Sequence, residues 1–334
     1  MRSSQNKICK DFLISKSIPY NVDVRLSCFS HFKSGGLCEL LVSPANESSL
    51  IDLIIFLREK LISFKIIGAT SNLLFLDDSD YSLLISTTSL NDISLNDDLI
   101  YAQCGSMLPD LSRFALNQSI SGFEGFEGIP GTVGGAVFMN AGAYGSVTSD
   151  LFVSAKVLKP DGSVVDCVYS DMLFKNRSSA FRINPDFGIL LGVFFKVNKG
   201  CRLKIYRKMS LFHNKRHKYQ EWQYPTLGSL YSGSIYRALA SKSFVYRCIS
   251  SLYIGLFFKW KVFGREAPDD RKWLNDFTVS FFSIDYKYQP FSDKDMNTLI
   301  YYGQPTSSIL EYIDKLNLLI GSELIIENEV VNGF

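Results

Sequence analysis

A glycine-rich stretch constrains the fold of this chain more than any other segment. The stretch GFEGFEGIPGTVGGAVFMNAGAYG runs from residue 122 to residue 145 and contains eight of the chain's 23 glycines. Glycine loses more backbone freedom on folding than any other residue, so a high density of glycine costs conformational entropy. The stretch also carries apolar residues of the kind found in a core. It therefore indicates backbone that must pass close to something, either another part of the chain or a ligand.

Two interpretations of the glycines are open. Small residues let backbone N–H groups approach a ligand closely and hold phosphate oxygens. The stretch fits neither the Walker A pattern nor a G-x-G-x-x-G motif after a clear strand, so a generic phosphate loop is not indicated. The competing interpretation is structural, because glycines also permit tight turns and the close packing of a helix on a sheet. Composition alone does not separate the two.

The bulk composition is that of a globular chain with little net charge. The chain has 334 residues, of which 46% are hydrophobic and 20% are charged, so two or three domains with a sizeable core are expected. There are 35 Lys and Arg against 33 Asp and Glu, a net charge of +2. This near balance gives no electrostatic reason to expect nucleic acid or an anionic membrane surface as the main partner.

The lack of a recognisable secretory signal or membrane helix and the cysteine usage both lead us to expect a cytoplasmic protein. The N-terminus offers only the short apolar run FLIS, and the longest runs, such as LYIGLFF at 252–258, fall far short of the roughly 20 residues of a membrane helix. The seven cysteines are scattered without a C-x-x-C pair, and there are three histidines. We expect reduced thiols and no zinc site.

Hydrophobic periodicity predicts an α+β chain. Segments 39–44 and 64–68 are predicted strands, and 46–61 between them is a predicted helix capped by Asn46, which gives a strand–helix–strand unit. The basic segment 206–220 is interpreted as a connector between domains. The other predicted elements are strands at 81–87, 99–105, 153–160, 163–170, 188–198 and 323–331, and helices at 107–120 and 307–322.

The order of residues in the glycine-rich stretch resembles a flavoenzyme signature. GIPGTVGGAVFMNAGAYG, at 128–145, is similar to the segment with which UDP-N-acetylenolpyruvoylglucosamine reductases wrap flavin adenine dinucleotide (FAD). Other segments resemble further motifs of that family in the family's order, namely 29–36, 66–78, 177–181, 224–229, 291–303 and 327–331. The resemblance covers most of the chain, from about residue 20 to 331.

The resemblance implies an activity and two cofactors. Members of the family use FAD and NADPH to reduce the enolpyruvyl group of UDP-N-acetylglucosamine enolpyruvate to UDP-N-acetylmuramate, for peptidoglycan precursor synthesis. The implied FAD-binding residues are Gly68, Ala69, Thr70, Ser71 and Asn72 in the first loop, and Gly122, Gly128, Ile129, Pro130, Gly131, Gly134, Gly135 and Ala136 in the glycine-rich stretch.

Three residues match the family's catalytic positions. Arg177 matches the cation that stabilises negative charge beside the substrate carboxylate, and Ser229 matches the proton donor. Glu329 matches the catalytic glutamate near the C-terminus. Glu327, two residues earlier on the same strand face, is the competing assignment.

The chain departs from the family mainly on the substrate side. A tyrosine that precedes the family's arginine is Asn176 here, the family's K-N-P is replaced by Ser232, Gly233 and Ser234, and a histidine of the family is Asp295. These changes leave two alternatives open. One is a diverged enzyme that reduces another nucleotide sugar or a surface-polysaccharide precursor, and the other is a non-catalytic flavin-binding protein.

The fold implied by the resemblance is α+β, with a two-subdomain FAD-binding fold like that of vanillyl-alcohol oxidase and a smaller substrate domain. We expect the subdomains at 1–90 and 91–203 and the substrate domain at 204–334. The third part contains an atypical insert near 235–290, rich in aromatic and basic residues. We expect this insert to be mostly buried, and the alternative is contact with a partner protein or a membrane surface.

Overall fold

The structure is a computed structural model that describes residues 2–259 and 270–334. Its first part carries a four-stranded sheet in the order β1-β2-β5-β3, in which β2, β5 and β3 are parallel and β1 is antiparallel to β2. The elements are α1 (Arg2–Ser15), β1 (Tyr20–Arg25), α2 (Leu26–Phe29), β2 (Leu37–Val42), α3 (Glu47–Glu59), β3 (Lys65–Ile67), β4 (Leu73–Phe75) and β5 (Tyr81–Ser86).

The predicted strand–helix–strand unit is confirmed as β2, α3 and β3. Asn46 caps α3, and its side chain accepts a hydrogen bond of 2.9 Å from the backbone N–H of Ser49. The buried residues of α3, among them Leu50, Ile54 and Leu57, recur at helical spacing. This unit fixes the point at which the chain leaves β3 and enters the loop 68–72.

The second part carries an antiparallel five-stranded sheet in the order β11-β10-β12-β7-β6. One large core runs through both sheets, with buried side chains from Cys9 to Phe195. The elements are β6 (Ile93–Asn96), β7 (Leu99–Gln103), α4 (Leu108–Asn117), α5 (Val133–Met139), β8 (Gly142–Ala143), β9 (Ser146–Val147), α6 (Thr148–Leu151), β10 (Phe152–Leu158), β11 (Val164–Val168), α7 (Ala180–Ile183) and β12 (Ile189–Lys196).

The third part packs helices around small sheets and has a core of its own. Strands β13, β16 and β15 form one sheet and β14 pairs with β17. The elements are α8 (Arg202–Tyr219), β13 (Thr226–Ser229), β14 (Tyr231–Ser232), α9 (Ile235–Lys242), α10 (Phe244–Ile254), α11 (Lys272–Phe282), β15 (Phe291–Ser292), β16 (Asp295–Ile300), α12 (Thr306–Ile320), β17 (Ile325–Ile326) and β18 (Glu329–Val331). The division at 90/91 and 203/204 stays a prediction.

The predicted last strand at 323–331 is wrong as a single element. A short 3₁₀ turn at Gly321–Glu323 precedes β17, and β17 and β18 pair with different neighbours. Strand β17 is antiparallel to β14 in the third part, whereas β18 is parallel to β4 in the first part. The chain therefore changes partner at residues 327–328, and this change ties the third part to the loop that precedes β4.

The basic segment at 206–220, interpreted from the sequence as a connector between domains, lies mostly within helix α8. Only Ile205, Met209 and Arg216 are buried along this helix. The guanidinium of Arg216 donates a 2.7 Å hydrogen bond to the Gly125 carbonyl oxygen, and the guanidinium carbon lies 5.0 Å from the centre of the Tyr144 ring. Helix α8 is thus anchored on the glycine-rich stretch.

The described part of the insert at 235–290 is mostly helical up to Phe282 and only partly buried. Tyr246 and Leu274 are fully buried, which agrees with the expectation, but Phe244 and Trp273 are more than half exposed. The remainder, 260–269, lies outside the described residues. No helix among the described residues is both long and apolar enough to cross a bilayer. Contact of the insert with a partner or a membrane stays a prediction.

Cys201 is expected to be the first cysteine to react with an alkylating reagent. It is exposed, and the backbone N–H of Lys204 lowers the pKa of its thiol by hydrogen bonding, which raises the thiolate fraction near neutral pH. Burial raises the pKa of three other thiols, to about 11 for Cys9 and Cys38 and about 12 for Cys104. Mass spectrometry of timed alkylation should place the first adduct on Cys201. An earlier adduct on any other cysteine, including the exposed Cys28 and Cys248, would contradict this prediction.

Candidate active site

The loop between β3 and β4, residues 68–72, presents backbone donors. Thr70 takes a positive φ of 56°, and its hydroxyl oxygen accepts a 2.8 Å hydrogen bond from the His31 N–H. Within the described part of the chain, the N–H groups of Ala69, Thr70, Ser71 and Asn72 donate to no protein acceptor. Consecutive free N–H groups in a turn form a concavity that suits phosphate oxygens. This loop fits the pyrophosphate of a dinucleotide.

The donors of the glycine-rich loop 128–136 are mostly used by the protein. The N–H of Gly134 donates to the Cys104 carbonyl oxygen at 2.7 Å, and Val133 donates to the Ser106 carbonyl oxygen at 2.8 Å. Thr132 caps α5 through a 3.2 Å hydrogen bond from Gly135. Close approach of the backbone is found at Gly134, where a Cβ atom would come within 2.9 Å of the Cys104 carbonyl oxygen, and this loop contributes shape more than free donors.

The two predicted FAD-binding segments lie side by side. A Cβ atom on Gly68 would come within 2.4 Å of the Thr132 hydroxyl oxygen, so the loops touch where glycine is required. A Cβ atom on Gly131 would lie 3.7 Å from the Ser71 hydroxyl oxygen. Segments that are about 60 residues apart in the sequence thus form one surface of bare backbone. Such a surface fits a large planar or phosphorylated ligand.

Gly122 and Gly128 have mainly conformational reasons to be glycine. Both have positive φ, 110° and 79°, which side chains rarely adopt. A Cβ atom on Gly122 would lie 2.7 Å from Leu151, and one on Gly128 would lie 3.1 Å from Arg216 Cδ. Their predicted contact with FAD stays a prediction, as does that of Ile129, Pro130 and Ala136.

The substitutions G134A and G135A should differ in their effects on protein stability. A Cβ atom on Gly134 would come within 2.9 Å of the Cys104 carbonyl oxygen, so G134A should lower the free energy of unfolding by about 1–3 kcal/mol. Gly135 is exposed and a Cβ atom there would meet only the Thr132 hydroxyl oxygen, at 3.6 Å. Helix propensity should therefore make G135A neutral or stabilising by up to about 1 kcal/mol.

The variants G134A and G135A are tested by two measurements, their stability and their affinity for FAD. Because Gly135 has open space on the surface where FAD is predicted to bind, G135A should weaken FAD binding in a fluorescence titration while the protein stays folded. Urea unfolding of the FAD-free variants measures the first effect. Equal FAD affinity of G135A and the unaltered protein would contradict a cofactor contact at this residue.

Arg177 lies in a strained turn next to Glu327. Its φ is 53°, an uncommon value for a residue with a side chain, and such strain is found most often at functional sites. Its Nε lies 2.9 Å from Glu327 Oε2, with both side chains largely buried, and Nη2 donates a 3.3 Å hydrogen bond to the Gly142 carbonyl oxygen. The guanidinium is thus held between the glycine-rich stretch and the C-terminal segment.

Ser229 ends β13 with its side chain exposed. The preceding residue, Gly228, has a φ of 72°, and Ser229 is paired with Thr298 of β16. No acceptor or donor for the Ser229 hydroxyl is found among the described residues. The next residue, Leu230, accepts a 2.8 Å hydrogen bond from the Glu327 N–H, so the Ser229 segment runs directly beside the two candidate glutamates.

Arg182 is a site residue that the sequence analysis missed. Its Nε lies 3.3 Å from Glu329 Oε1, and its other nitrogens donate to the carbonyl oxygens of Arg177 at 2.6 Å and Ile326 at 3.0 Å. One side chain therefore contacts both the turn that holds Arg177 and the carboxylate of Glu329. The available signal was a cation on the short helix α7, directly after the family-like segment 177–181.

Asn72 and Asn328 join the predicted cofactor loop to the catalytic segment. The Asn72 side chain donates a 2.8 Å hydrogen bond to the Glu327 carbonyl oxygen, and the backbone carbonyl oxygen of Asn72 accepts a 3.0 Å hydrogen bond from the Glu329 N–H. The buried Asn328 side chain donates to Asn72 Oδ1 at 2.8 Å and to the Leu227 carbonyl oxygen at 3.1 Å. The structure thus brings the loop 68–72 and the residues around Ser229 and Glu329 to one place.

Two departures from the family pattern contact each other. The side chain of Asn176 donates a 3.0 Å hydrogen bond to the Ser232 hydroxyl oxygen. Asn176 precedes Arg177, and Ser232 follows Ser229 by three residues. The replacements therefore form a direct link between the turn of Arg177 and the segment of Ser229.

Comparison with known proteins gives the family. A family model described as an FAD binding domain matches residues 38–168, a range that includes both glycine-containing loops. The chain is 36% identical over 217 residues to the UDP-N-acetylenolpyruvoylglucosamine reductase of Caldicellulosiruptor saccharolyticus, with 64% of this chain and 69% of the relative covered. It is 35% identical over 214 residues to the reductase of that name from Streptococcus pneumoniae strain JJA, with 63% and 70% covered.

A solved structure shows the same fold. The crystal structure of the UDP-N-acetylenolpyruvylglucosamine reductase of Thermus caldophilus matches with a TM-score of 0.65 at 20% identity, over 94% of this chain and 98% of that one. These matches confirm the predicted α+β FAD-binding fold and the predicted cofactor, FAD. From the identity and the coverage of its named relatives, this chain belongs to the UDP-N-acetylenolpyruvoylglucosamine reductase family.

Proposed function

We propose that this chain reduces the enolpyruvyl group of UDP-N-acetylglucosamine enolpyruvate to UDP-N-acetylmuramate, with FAD as bound cofactor and NADPH as reductant. The observation that carries the proposal is the convergence at Asn72. This residue ends the loop with free backbone donors and is hydrogen-bonded to the segment of Glu327 and Glu329. A cofactor surface and a set of acid and base groups therefore meet at one site.

The residues present fit FAD. The free N–H groups of 69–72 suit its pyrophosphate, and the open space beside Gly131 and Gly135 leaves room for a large ligand. When bound, FAD supplies hydride transfer, and the protein supplies binding, orientation and charge. The part of the reaction assigned to the chain's own residues is charge stabilisation and protonation.

Arg177 and Ser229 have the roles that this chemistry needs. Reduction of the enolpyruvyl double bond builds negative charge beside the substrate carboxylate, and the guanidinium of Arg177 is the group we assign to stabilise it. The intermediate then requires a proton on carbon. We assign its delivery to the Ser229 hydroxyl, which is exposed and, among the described residues, not committed to another group.

Glu329, rather than Glu327, is proposed as the catalytic glutamate. Glu327 lies 2.9 Å from Arg177 and compensates the charge of that residue, so its role is to hold the guanidinium in place. Glu329 is positioned by Arg182 and follows the turn at Asn328 that faces the Ser229 segment. We therefore expect Glu329 to act on or through Ser229.

Glutamine substitutions at the two glutamates test this assignment. Glu329→Gln should lower kcat by about 10- to 100-fold, as expected for loss of an acid–base group or of its support. Glu327→Gln should change kcat less and raise the KM for the sugar nucleotide, because Arg177 loses its partner. Steady-state kinetics on the two variants separates the roles. A larger loss of kcat in Glu327→Gln would reverse the assignment.

We further propose that the protein acts in the cytoplasm on a nucleotide sugar. The seven cysteines are all free, which suits a reducing compartment. The reaction is tested by product analysis in D₂O with NADPH and UDP-N-acetylglucosamine enolpyruvate. We expect UDP-N-acetylmuramate that carries solvent deuterium at the carbon beside the carboxylate. Reduction of a different nucleotide sugar, with none of this one, would support the diverged-enzyme alternative instead.

A further inference from the structure

The helices that follow Ser229 enclose a cleft of about 560 Å³ with a basic lining. Three arginines line it, Arg237 on α9, Arg247 on α10 and Arg271 just before α11. The rest of the wall consists of serines, two aromatic residues, Tyr236 and Phe258, and two aliphatic residues, Ala240 and Ile254. No acidic side chain is among the described residues that line the cleft.

The charge of the cleft is only partly balanced. Arg271 forms an ion pair with Asp295. The guanidinium of Arg247 lies 5.1 Å from the centre of the Phe244 ring, and within the described chain neither Arg237 nor Arg247 meets a carboxylate. Like charges around one concave surface raise the local positive potential and attract anions. Counted over the described residues, the cleft therefore carries two cations without a carboxylate partner, on a chain whose net charge is +2.

The chemistry of the lining selects phosphate groups. Guanidinium groups match phosphate oxygens with two parallel hydrogen bonds. The hydroxyls of Ser241 and Ser250 already donate to protein acceptors, whereas those of Ser234 and Ser251 donate to none among the described residues and can add further hydrogen bonds. The volume of about 560 Å³ lies within the range of roughly 300–1,000 Å³ that is typical of small-molecule sites and exceeds what a single phosphate needs. Aromatic walls suit a ring attached to the phosphates.

The cleft lies close to the proposed active site. Ser234, which lines it, follows Ser229 by five residues, so the two are at most about 17 Å apart. On the neighbouring strand β16, Asp295 holds Arg271 and stands three residues before Thr298, the partner of Ser229. A ligand with an extended phosphate chain can reach from one to the other.

We infer that this cleft binds the diphosphate of a nucleotide. Two ligands of the proposed reaction carry that group, the sugar nucleotide and the dinucleotide reductant, and the experiment below distinguishes them. To this extent the inference rests on the proposed function, although binding of a diphosphate by Arg237 and Arg247 does not require turnover.

The first test is binding to the FAD-loaded protein, measured by calorimetry with inorganic pyrophosphate, UDP and NADP⁺. We expect pyrophosphate to bind, and we expect Arg237→Gln and Arg247→Gln each to weaken it about tenfold or more, the usual effect of losing a charge-assisted hydrogen bond. Arg207→Gln, an exposed arginine of α8, is the matched control and should leave affinity unchanged. Both cleft arginines are exposed, so the variants should fold.

The second test identifies the source of the diphosphate. If the sugar nucleotide uses the cleft, the two variants raise its KM and weaken UDP binding, with kcat unchanged. If the reductant uses it, the KM for NADPH rises and NADP⁺ binding weakens instead. Pyrophosphate binding that depends on the arginines in a protein without turnover would support the cleft and refute the proposed reaction. The inference would be overturned if pyrophosphate did not bind, or if neither Arg237→Gln nor Arg247→Gln changed the affinity for pyrophosphate.

Discussion

Replacement of Ser229 by alanine should reduce turnover about 10³-fold while FAD stays bound. A positioned proton donor typically contributes about 10²- to 10⁴-fold to the rate. The Ser229 hydroxyl has no hydrogen-bond partner among the described residues, so it is available to the substrate. The side chain is exposed at the end of β13 and has no packing role, so the folded structure should be unchanged. Reduction of the bound flavin by NADPH should proceed at its normal rate.

Stopped-flow absorbance measures the two half-reactions of this variant separately. The flavin band should disappear with NADPH and fail to return when the sugar nucleotide is added. Ser322→Ala, at an exposed serine of the 3₁₀ turn before β17, is the matched control and should behave like the unaltered protein. Normal flavin reoxidation in Ser229→Ala would exclude proton donation by this serine.

Replacement of Arg177 by glutamine should lower kcat/KM about 10²- to 10³-fold. The guanidinium is assigned to the negative charge that develops beside the substrate carboxylate, and loss of one such group usually costs this much. The substitution also leaves the largely buried Glu327 without its cation at 2.9 Å. An uncompensated carboxylate would repel the substrate carboxylate, which adds to the loss.

A double substitution separates these two causes. Arg177→Gln with Glu327→Gln removes the uncompensated carboxylate but does not restore the cation. We expect it to recover part of the KM and none of the kcat. Double-mutant analysis of the kinetic constants gives the coupling of the pair. Full activity in the double variant would mean that Arg177 only balances Glu327 and does not act on the substrate.

The sequence was sufficient to predict the elements with strong local signals. Asn46 before an apolar helical repeat predicted the start of α3, and the cap is present. The order of small residues in 128–136 predicted close approach of the backbone, and a Cβ atom on Gly134 would come within 2.9 Å of the Cys104 carbonyl oxygen. These features depend on the backbone preferences of a few neighbouring residues, which can be read from the sequence.

The features that sequence reasoning missed depend on tertiary contacts. Helix α8 has few apolar anchors, and its buried Arg216 is explained only by the Gly125 carbonyl oxygen that it meets. The break between β17 and β18 follows from a change of partner strand, which the pattern ELIIENEVV does not reveal. The pairing of Glu327 with Arg177 and of Glu329 with Arg182 likewise depends on that break.

The central claim is that one site binds FAD and uses it to reduce an enolpyruvyl sugar nucleotide. It is tested most directly by the visible spectrum of the purified protein, followed by NADPH oxidation with and without UDP-N-acetylglucosamine enolpyruvate. The account predicts a flavin spectrum and NADPH consumption that depends on this substrate. A protein that cannot be loaded with FAD, or a flavoprotein whose NADPH consumption ignores the substrate, would contradict it.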